Sequence, residues 1–178
     1  STRHVQTYAG PIEIYGDKLM LCIVHDITEQ KRLEEQLEHA AHHDAMTGLL
    51  NRRQFYHITE PGQMQHLAIA QDYSLLLIDT DRFKHINDLY GHSKGDEVLC
   101  ALARTLESCA RKGDLVFRWG GEEFVLLLPR TPLDTALSLA ETIRVSVAKV
   151  SISGLPRFTV SIGVAHHEGN ESIDELFK

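Results

Sequence analysis

The N-terminal stretch alternates apolar and polar positions with a period of two. Ile12 and Ile14 form one run and Leu19, Leu21 and Ile23 a second, a pattern that predicts two strands within residues 1–27, with Gly16-Asp17 as the turn between them. A lone hairpin is marginal in water, so these strands are expected to belong to a larger sheet. The period then changes. Residues Glu29–His43 are charged, with Leu33, Leu37, Ala40 and Ala41 on one narrow stripe. Thr28 is a candidate cap and Glu29 suits the first turn. Two heptads leave two readings open: a short parallel coiled coil joining two domains, or one helix lying on its own domain.

From Asp44 onward strands and helices mix. Asn51–His57 continues as helix. Tyr73–Asp79 carries Leu75, Leu76, Leu77 and Ile78, the near-continuous apolar run of a central strand. Lys94–Lys112 places Val98, Leu99, Leu102, Leu106 and Cys109 at helical spacing, with Gly113 positioned to end the helix. Asp114–Trp119 and Glu122–Leu128 read as strands joined at Gly120-Gly121, a pair suited to a two-residue hairpin turn. Pro129 and Pro132 mark the exit, a helix is predicted over Leu133–Val150, Arg157–Ala165 reads as another strand, and Ser172–Lys178 as the start of a helix. The fold class expected is α/β (α+β), with a mixed central sheet flanked by helices.

Composition narrows the function classes. With 178 residues, 43% hydrophobic and 24% charged, the chain can bury a core without staples. A net charge of -7 argues against a protein that coats nucleic acid. It leaves room for nucleotide chemistry, because carboxylates bind phosphates through magnesium. Cys22, Cys100 and Cys109 are scattered and odd in number, favouring free thiols in a reducing compartment. Of the eleven histidines, the adjacent pairs His42-His43 and His166-His167 lack zinc-ligand spacing. No apolar run spans a bilayer and no signal peptide is visible, so no direct membrane contact is expected in this fragment. Its expected place is the cytoplasm, in a parent that a segment upstream of Ser1 would anchor or leave free.

The candidate chemistry lies at carboxylates. Asp79 and Asp81 end the apolar strand, where α/β sheets place their ligands, although either could cap the next helix. Glu122 and Glu123 follow the glycine turn, which would present two acids at a hairpin tip or simply solvate them. If hairpin and strand are neighbours, Asp79 and Glu122 could share a magnesium ion. Lys84 lies close enough in sequence to neutralise phosphate charge. Asn87 and Asp96 pair an amide with a carboxylate, which suits the donors and acceptors of guanine.

Together these residues carry a resemblance. Arg118-Trp119-Gly120-Gly121-Glu122-Glu123-Phe124 resembles the GGDEF signature in its GGEEF form. Asp79-Thr80-Asp81-Arg82-Phe83-Lys84, Asn87-Asp88, Gly91-His92 and Gly95-Asp96 resemble a second block of that family. Asp44–Arg53 resembles its opening, with Met46 where leucine is usual, and Thr159–Ala165 its late strand. Four blocks in order over residues 44–165 make the likeness specific. It implies a palm-like nucleotide-cyclase architecture with an N-terminal β-hairpin and a linker helix. The implied activity is a magnesium-dependent diguanylate cyclase, manganese substituting, that condenses two GTP into cyclic di-GMP where two subunits of a homodimer meet. Asp79, the Thr80 carbonyl, Glu122 and Glu123 would be the metal residues. Glu122 would also act as base, Lys84 would stabilise the transition state, and Phe83, Lys84, Asn87, His92, Asp96 and Arg118 would hold GTP. Arg111 and Asp114 match the family's R-x-x-D inhibitory site for the product. Many relatives add an arginine on the following helix, where this chain has Thr142, with Arg144 nearby.

Residues 1–28 resemble the last strands of a PAS sensor, whose end often reads Asp-Ile-Thr, here Asp26-Ile27-Thr28. The expected domains are therefore 1–28 from a PAS-like unit, 29–43 as a signalling linker, and 44–178 as a GGDEF domain lacking its C-terminal helix and strand. Those missing parts carry a lysine and an arginine for the GTP phosphates, so the fragment by itself is expected to bind nucleotide weakly or be inactive. The competing readings are a non-catalytic module that binds GTP or cyclic di-GMP, a structural dimerisation domain, and an enzyme making a mixed adenine–guanine dinucleotide. Intact Glu122 and Glu123 favour the enzyme, and Asp96 favours guanine.

Overall fold

The computed structural model describes residues 2–15, 17–60 and 72–167. The chain divides into two compact units, Ser1–Ala41 and His42–Lys178. The predicted helix start at Ser172–Lys178 lies outside the described residues.

In the first unit, β1 (Val5–Ile14) and β2 (Asp17–Asp26) form an antiparallel hairpin. Ile14 already pairs with Asp17, so Asp17 is a strand residue rather than the predicted turn residue. Tyr8, Met20, Leu21, Ile23 and Val24 are exposed. Helix α1 (Thr28–His42) buries none of its residues. The Thr28 hydroxyl does not cap it. Its oxygen accepts from the His4 N–H at 2.9 Å, while Asp26 Oδ1 accepts from the Thr28 N–H at 3.0 Å.

The second unit is a five-stranded mixed sheet of β3 (Leu50–Asn51), β4 (Tyr73–Thr80), β5 (Leu115–Gly120), β6 (Glu123–Pro129) and β7 (Val160–His167), in the order β3-β5-β6-β4-β7. Only β3 and β5 run parallel. The helices among the described residues of this unit are α2 (Arg52–Thr59), α3 (Phe83–Tyr90), α4 (His92–Cys109) and α5 (Leu133–Val147). Leu76 and Ile78 of β4 point into the larger core with Val98, Leu102, Leu106 and Ile143. Tyr73 and Leu75 alternate to the other face, onto Phe55 and Ile58 of α2. Leu77 on that second face is 36% exposed, so the apolar run of β4 is covered fully on one side only.

Several boundaries differ from the sequence reading. Asn51 is the N-cap of α2, its side chain accepting from the Gln54 N–H at 2.9 Å. Helix α4 starts earlier and stops at Cys109, with Ala110 extended. Gly113 (φ +104) serves the turn after it rather than the helix end. The β5–β6 turn also shifts by one residue. Gly120 pairs with Glu123, which leaves Gly121 and Glu122 as the turn residues, after an irregularity between Arg118 and Gly120. Of these two only Gly121 needs a positive φ, at +52. Helix α5 ends at Val147, and the last strand begins at Val160 instead of Arg157.

Candidate active site

The sheet register brings the acids together. Asp79 is the penultimate residue of β4 and stands opposite Glu123, the first residue of β6. Glu122 occupies the turn beside them, and its carbonyl accepts from the buried Thr80 hydroxyl at 3.4 Å. Partial burial and then the charges of Glu122, Glu123 and Asp81 hold the Asp79 carboxyl above its ordinary range. A carboxylate raised by like charges is one that a cation would relieve. Among the described residues, no three His, Cys, Asp or Glu side chains form a ready-made metal cage. The carboxylates of Asp79, Glu122 and Glu123 are oxygen donors of the kind a hard divalent cation takes alongside phosphates and water.

Asp81 has another use. Its carboxylate accepts from the Thr159 hydroxyl at 2.5 Å and the Ser161 hydroxyl at 2.6 Å, and its backbone N–H donates to Thr159 O at 3.0 Å. It pins the start of β7 to the end of β4. Arg82 follows in the left-handed region (φ +57) as the N-cap of α3, and no side chain caps that helix. The alternative in which Asp79 or Asp81 caps α3 is therefore not what the chain does. The open end of α3 suits an anion.

Lys84 is exposed on the first turn of α3. Phe83 beside it is buried in the core. Asn87 is half-buried, and its Oδ1 has no hydrogen-bond partner among the described residues. Gly95 of α4 packs against it so closely that a Cβ there would lie 2.0 Å from Asn87 Oδ1. Asp96 is exposed on the next residue and lines a cavity of about 620 Å³ with Ser93, Cys100 and Arg104. His92 is exposed at the start of α4.

Arg118 is a clamp on the hairpin. Its Nη1 donates to Asp44 Oδ1 at 3.0 Å, and its Nε and Nη2 donate to Gly121 O at 3.3 and 2.9 Å. Asp44 Oδ1 also accepts from the Thr47 N–H (2.8 Å) and hydroxyl (2.7 Å). Burial pushes the Asp44 carboxyl up, but the bonds from Thr47 and Arg118 outweigh it and hold it below its ordinary range. Sequence reading missed this clamp, and also the bonds from Thr159 and Ser161. Their partners are 74 to 80 residues apart, and no local pattern links them.

Arg111 and Asp114 meet away from this corner, after the end of α4. Arg111 Nε donates to Asp114 Oδ1 at 3.0 Å. Thr142 donates to Ser138 O, and Arg144 is paired with Glu141.

Known proteins match this architecture. The family model described as "Diguanylate cyclase, GGDEF domain" matches residues 41–178, and the chain belongs to that family. It is 37% identical over 158 residues to Diguanylate cyclase VdcA of Vibrio cholerae, covering 83% of this chain and 45% of that protein. It is similar to the structure of the coiled coil and GGDEF domain of DgcB from Caulobacter crescentus in complex with c-di-GMP. That match has a TM-score of 0.73 and 28% identity, and covers 84% of this chain and 83% of the other. It is also similar to the active GGEEF domain of a diguanylate cyclase from Vibrio cholerae, with a TM-score of 0.65 and 36% identity over 72% of this chain and 84% of that one. The sheet and its helices are thus those of the nucleotide-cyclase palm. The chain spans less than half the length of the curated relatives it matches.

Proposed function

We propose that the protein is a diguanylate cyclase that joins two GTP molecules into cyclic di-GMP and releases two pyrophosphates. The observation that carries this is the corner where Asp79, Thr80, Glu122 and Glu123 meet, with Asp79 raised by its acidic neighbours. Magnesium, or manganese in its place, would be held there by Asp79, Glu122 and the Thr80 carbonyl, with Glu123 beside them. When bound, it supplies charge neutralisation for the triphosphate and for the attacking and leaving oxygens.

The chain's own groups do the rest. Glu122 takes the proton from the ribose 3′-hydroxyl of one GTP. That oxygen forms a bond to the α-phosphorus of the second GTP as the bond from phosphorus to the pyrophosphate oxygen breaks. The same exchange with roles reversed closes the ring. Lys84 and the uncapped start of α3 balance the charge that spreads over the phosphoryl oxygens. Asn87 and Asp96 read the guanine edge, Phe83 supports Asn87 from below, and His92 borders the base. Arg118 contributes by holding the turn that carries Glu122. Each subunit of a homodimer brings one GTP, so the frequency with which two domains face each other sets the rate.

The similarity to an active GGEEF domain supports the glutamate form as competent. The hairpin at residues 1–28 and the helix at 29–43 are read as the end of a PAS-like sensor and the linker through which it controls domains 44–178. Product bound at Arg111 and Asp114 would hold the domains apart. The test is to incubate the protein at its full natural length with GTP, with ATP as control, while magnesium is varied. Cyclic di-GMP and pyrophosphate formed from GTP alone, and only with the metal, are the expected products. Nucleotide binding without turnover by a folded dimer would favour the binding-module reading.

A further inference from the structure

The cavity between the turn after α4 and the β6–α5 connection gathers three cations. Its walls, enclosing about 410 Å³, are Arg111, Lys112, Gly113, Asp114, Pro129 and Arg130. The single carboxylate among them is already spent. Asp114 is 2% exposed at its side chain and accepts from both the Nε and the backbone N–H of Arg111. Arg111 Nη2 donates to Pro129 O at 2.8 Å and to the Thr131 hydroxyl. Its Nη1 takes no part in these contacts. Lys112 and Arg130 are exposed and make no ion pair among the described residues. In a chain of net charge -7, this is a local positive site.

Arg130 has a second peculiarity. Its backbone is left-handed (φ +50), a conformation that glycine or asparagine adopts at lower cost. The conformation is fixed from all sides. The Arg130 N–H donates to Asp72 O at 2.7 Å, Pro129 pairs with Tyr73, and Thr131 O accepts from the buried Ser74 hydroxyl at 2.7 Å. The fold thus holds a long cationic side chain at a strained position without using that side chain in packing. Strain of this kind collects at functional sites.

We propose that Arg130 acts with Arg111 as a two-guanidinium clamp on cyclic di-GMP, and so sets the affinity of product inhibition. This rests on the proposed function, in which the protein makes that product and binds it at Arg111 and Asp114. A planar guanidinium matches both ligand edges available, a phosphodiester and the O6/N7 edge of guanine. Helix α5 supplies no rival cation here. Thr142 is bonded to Ser138 O and Arg144 to Glu141, and neither lines the cavity.

The test is a calorimetric titration with cyclic di-GMP of the natural protein, Arg130→Asn, Arg130→Lys and Arg111→Ala, with thermal midpoints recorded for each. Parallel titrations use GTP and inorganic pyrophosphate. Arg130→Asn should weaken cyclic di-GMP binding about tenfold or more, the usual weight of a lost charged hydrogen bond. It should leave the thermal midpoint unchanged or higher, because asparagine suits the left-handed backbone. Arg130→Lys should fall between. Cyclic di-GMP binding by Arg130→Asn equal to the natural protein, while Arg111→Ala loses it, would overturn the role of Arg130. An equal loss for pyrophosphate would make the cavity a plain anion site and also overturn it. A protein that synthesises cyclic di-GMP but does not bind it in the titration would sink this inference alone. Failure to synthesise it would count against the proposed function instead.

Discussion

Replacing Arg118 with methionine should loosen the hairpin that carries Glu122. Methionine keeps much of the apolar stem but removes three donors, one to Asp44 and two to Gly121 O. Side-chain exposures are 12% for Arg118 and 24% for Asp44, so the pair is mostly screened from water. Breaking a buried pair costs roughly 3–5 kcal/mol, and one charged hydrogen bond about 1.5–3. Asp44 keeps both bonds from Thr47, which places the expected loss at about 2–3 kcal/mol. With a urea slope of about 2 kcal/mol/M, the midpoint should fall by roughly 1 M. Trp119, the only tryptophan, adjoins Arg118 and packs edge-on to Phe55 at 5.0 Å and under Arg52 at 4.7 Å. Its fluorescence therefore reports on this hairpin directly. The effect has a pH signature. A carboxyl held below its ordinary value of 3.8 contributes stability in full above that value and loses it as the pH falls through the lowered one. The gap between natural protein and variant should thus be complete at pH 7 and shrink below pH 3.8. A midpoint within about 0.2 M of the natural protein at pH 7 would refute the clamp.

Two further predictions concern the site itself. Gly95→Ala forces a methyl against Asn87 Oδ1, the free end of a side chain. It should therefore cost only about 1–2 kcal/mol of stability yet raise the KM for GTP about tenfold, measured by initial rates and thermal melts on one preparation. The raised Asp79 carboxyl means that the metal-free fold loses stability as pH rises from 3.8 through the raised value. Glu123→Gln should recover a little of it at pH 7, less than about 1 kcal/mol because these acids are solvent-screened, and should weaken magnesium binding. Thermal melts with and without magnesium across pH 4–8 read both effects.

Much of the site was legible because its residues are close in sequence. Asp79 and Thr80 end a strand that an apolar run announces, and Gly121 puts Glu122 in a turn. What makes these residues one site is register, and register is set by cross-strand pairing. The irregularity between Arg118 and Gly120 shifts the turn by one residue, so the glycine pair alone misplaced it. The end of α4 was misjudged for a similar reason. Gly113 looks like a helix stop, but the bonds from Arg111 to Asp114 draw those residues into a turn of their own. Asp81 ends the same strand as Asp79, but its carboxylate is taken by Thr159 and Ser161, and no pattern near Asp81 foretells that. The closeness of Gly95 to Asn87 emerges only from the packing of α3 on α4.

In the proposed function Glu122, in the hairpin turn beside Asp79, is the base of a metal-dependent cyclase. The most direct measurement compares the rates of cyclic di-GMP formation by the natural protein and Glu122→Gln, both at full natural length, folded and equally dimeric, with GTP and magnesium. Steady product is expected from the first and a loss of at least about a hundredfold in the second, the usual weight of a general base. Equal rates, or no product from either, would contradict it.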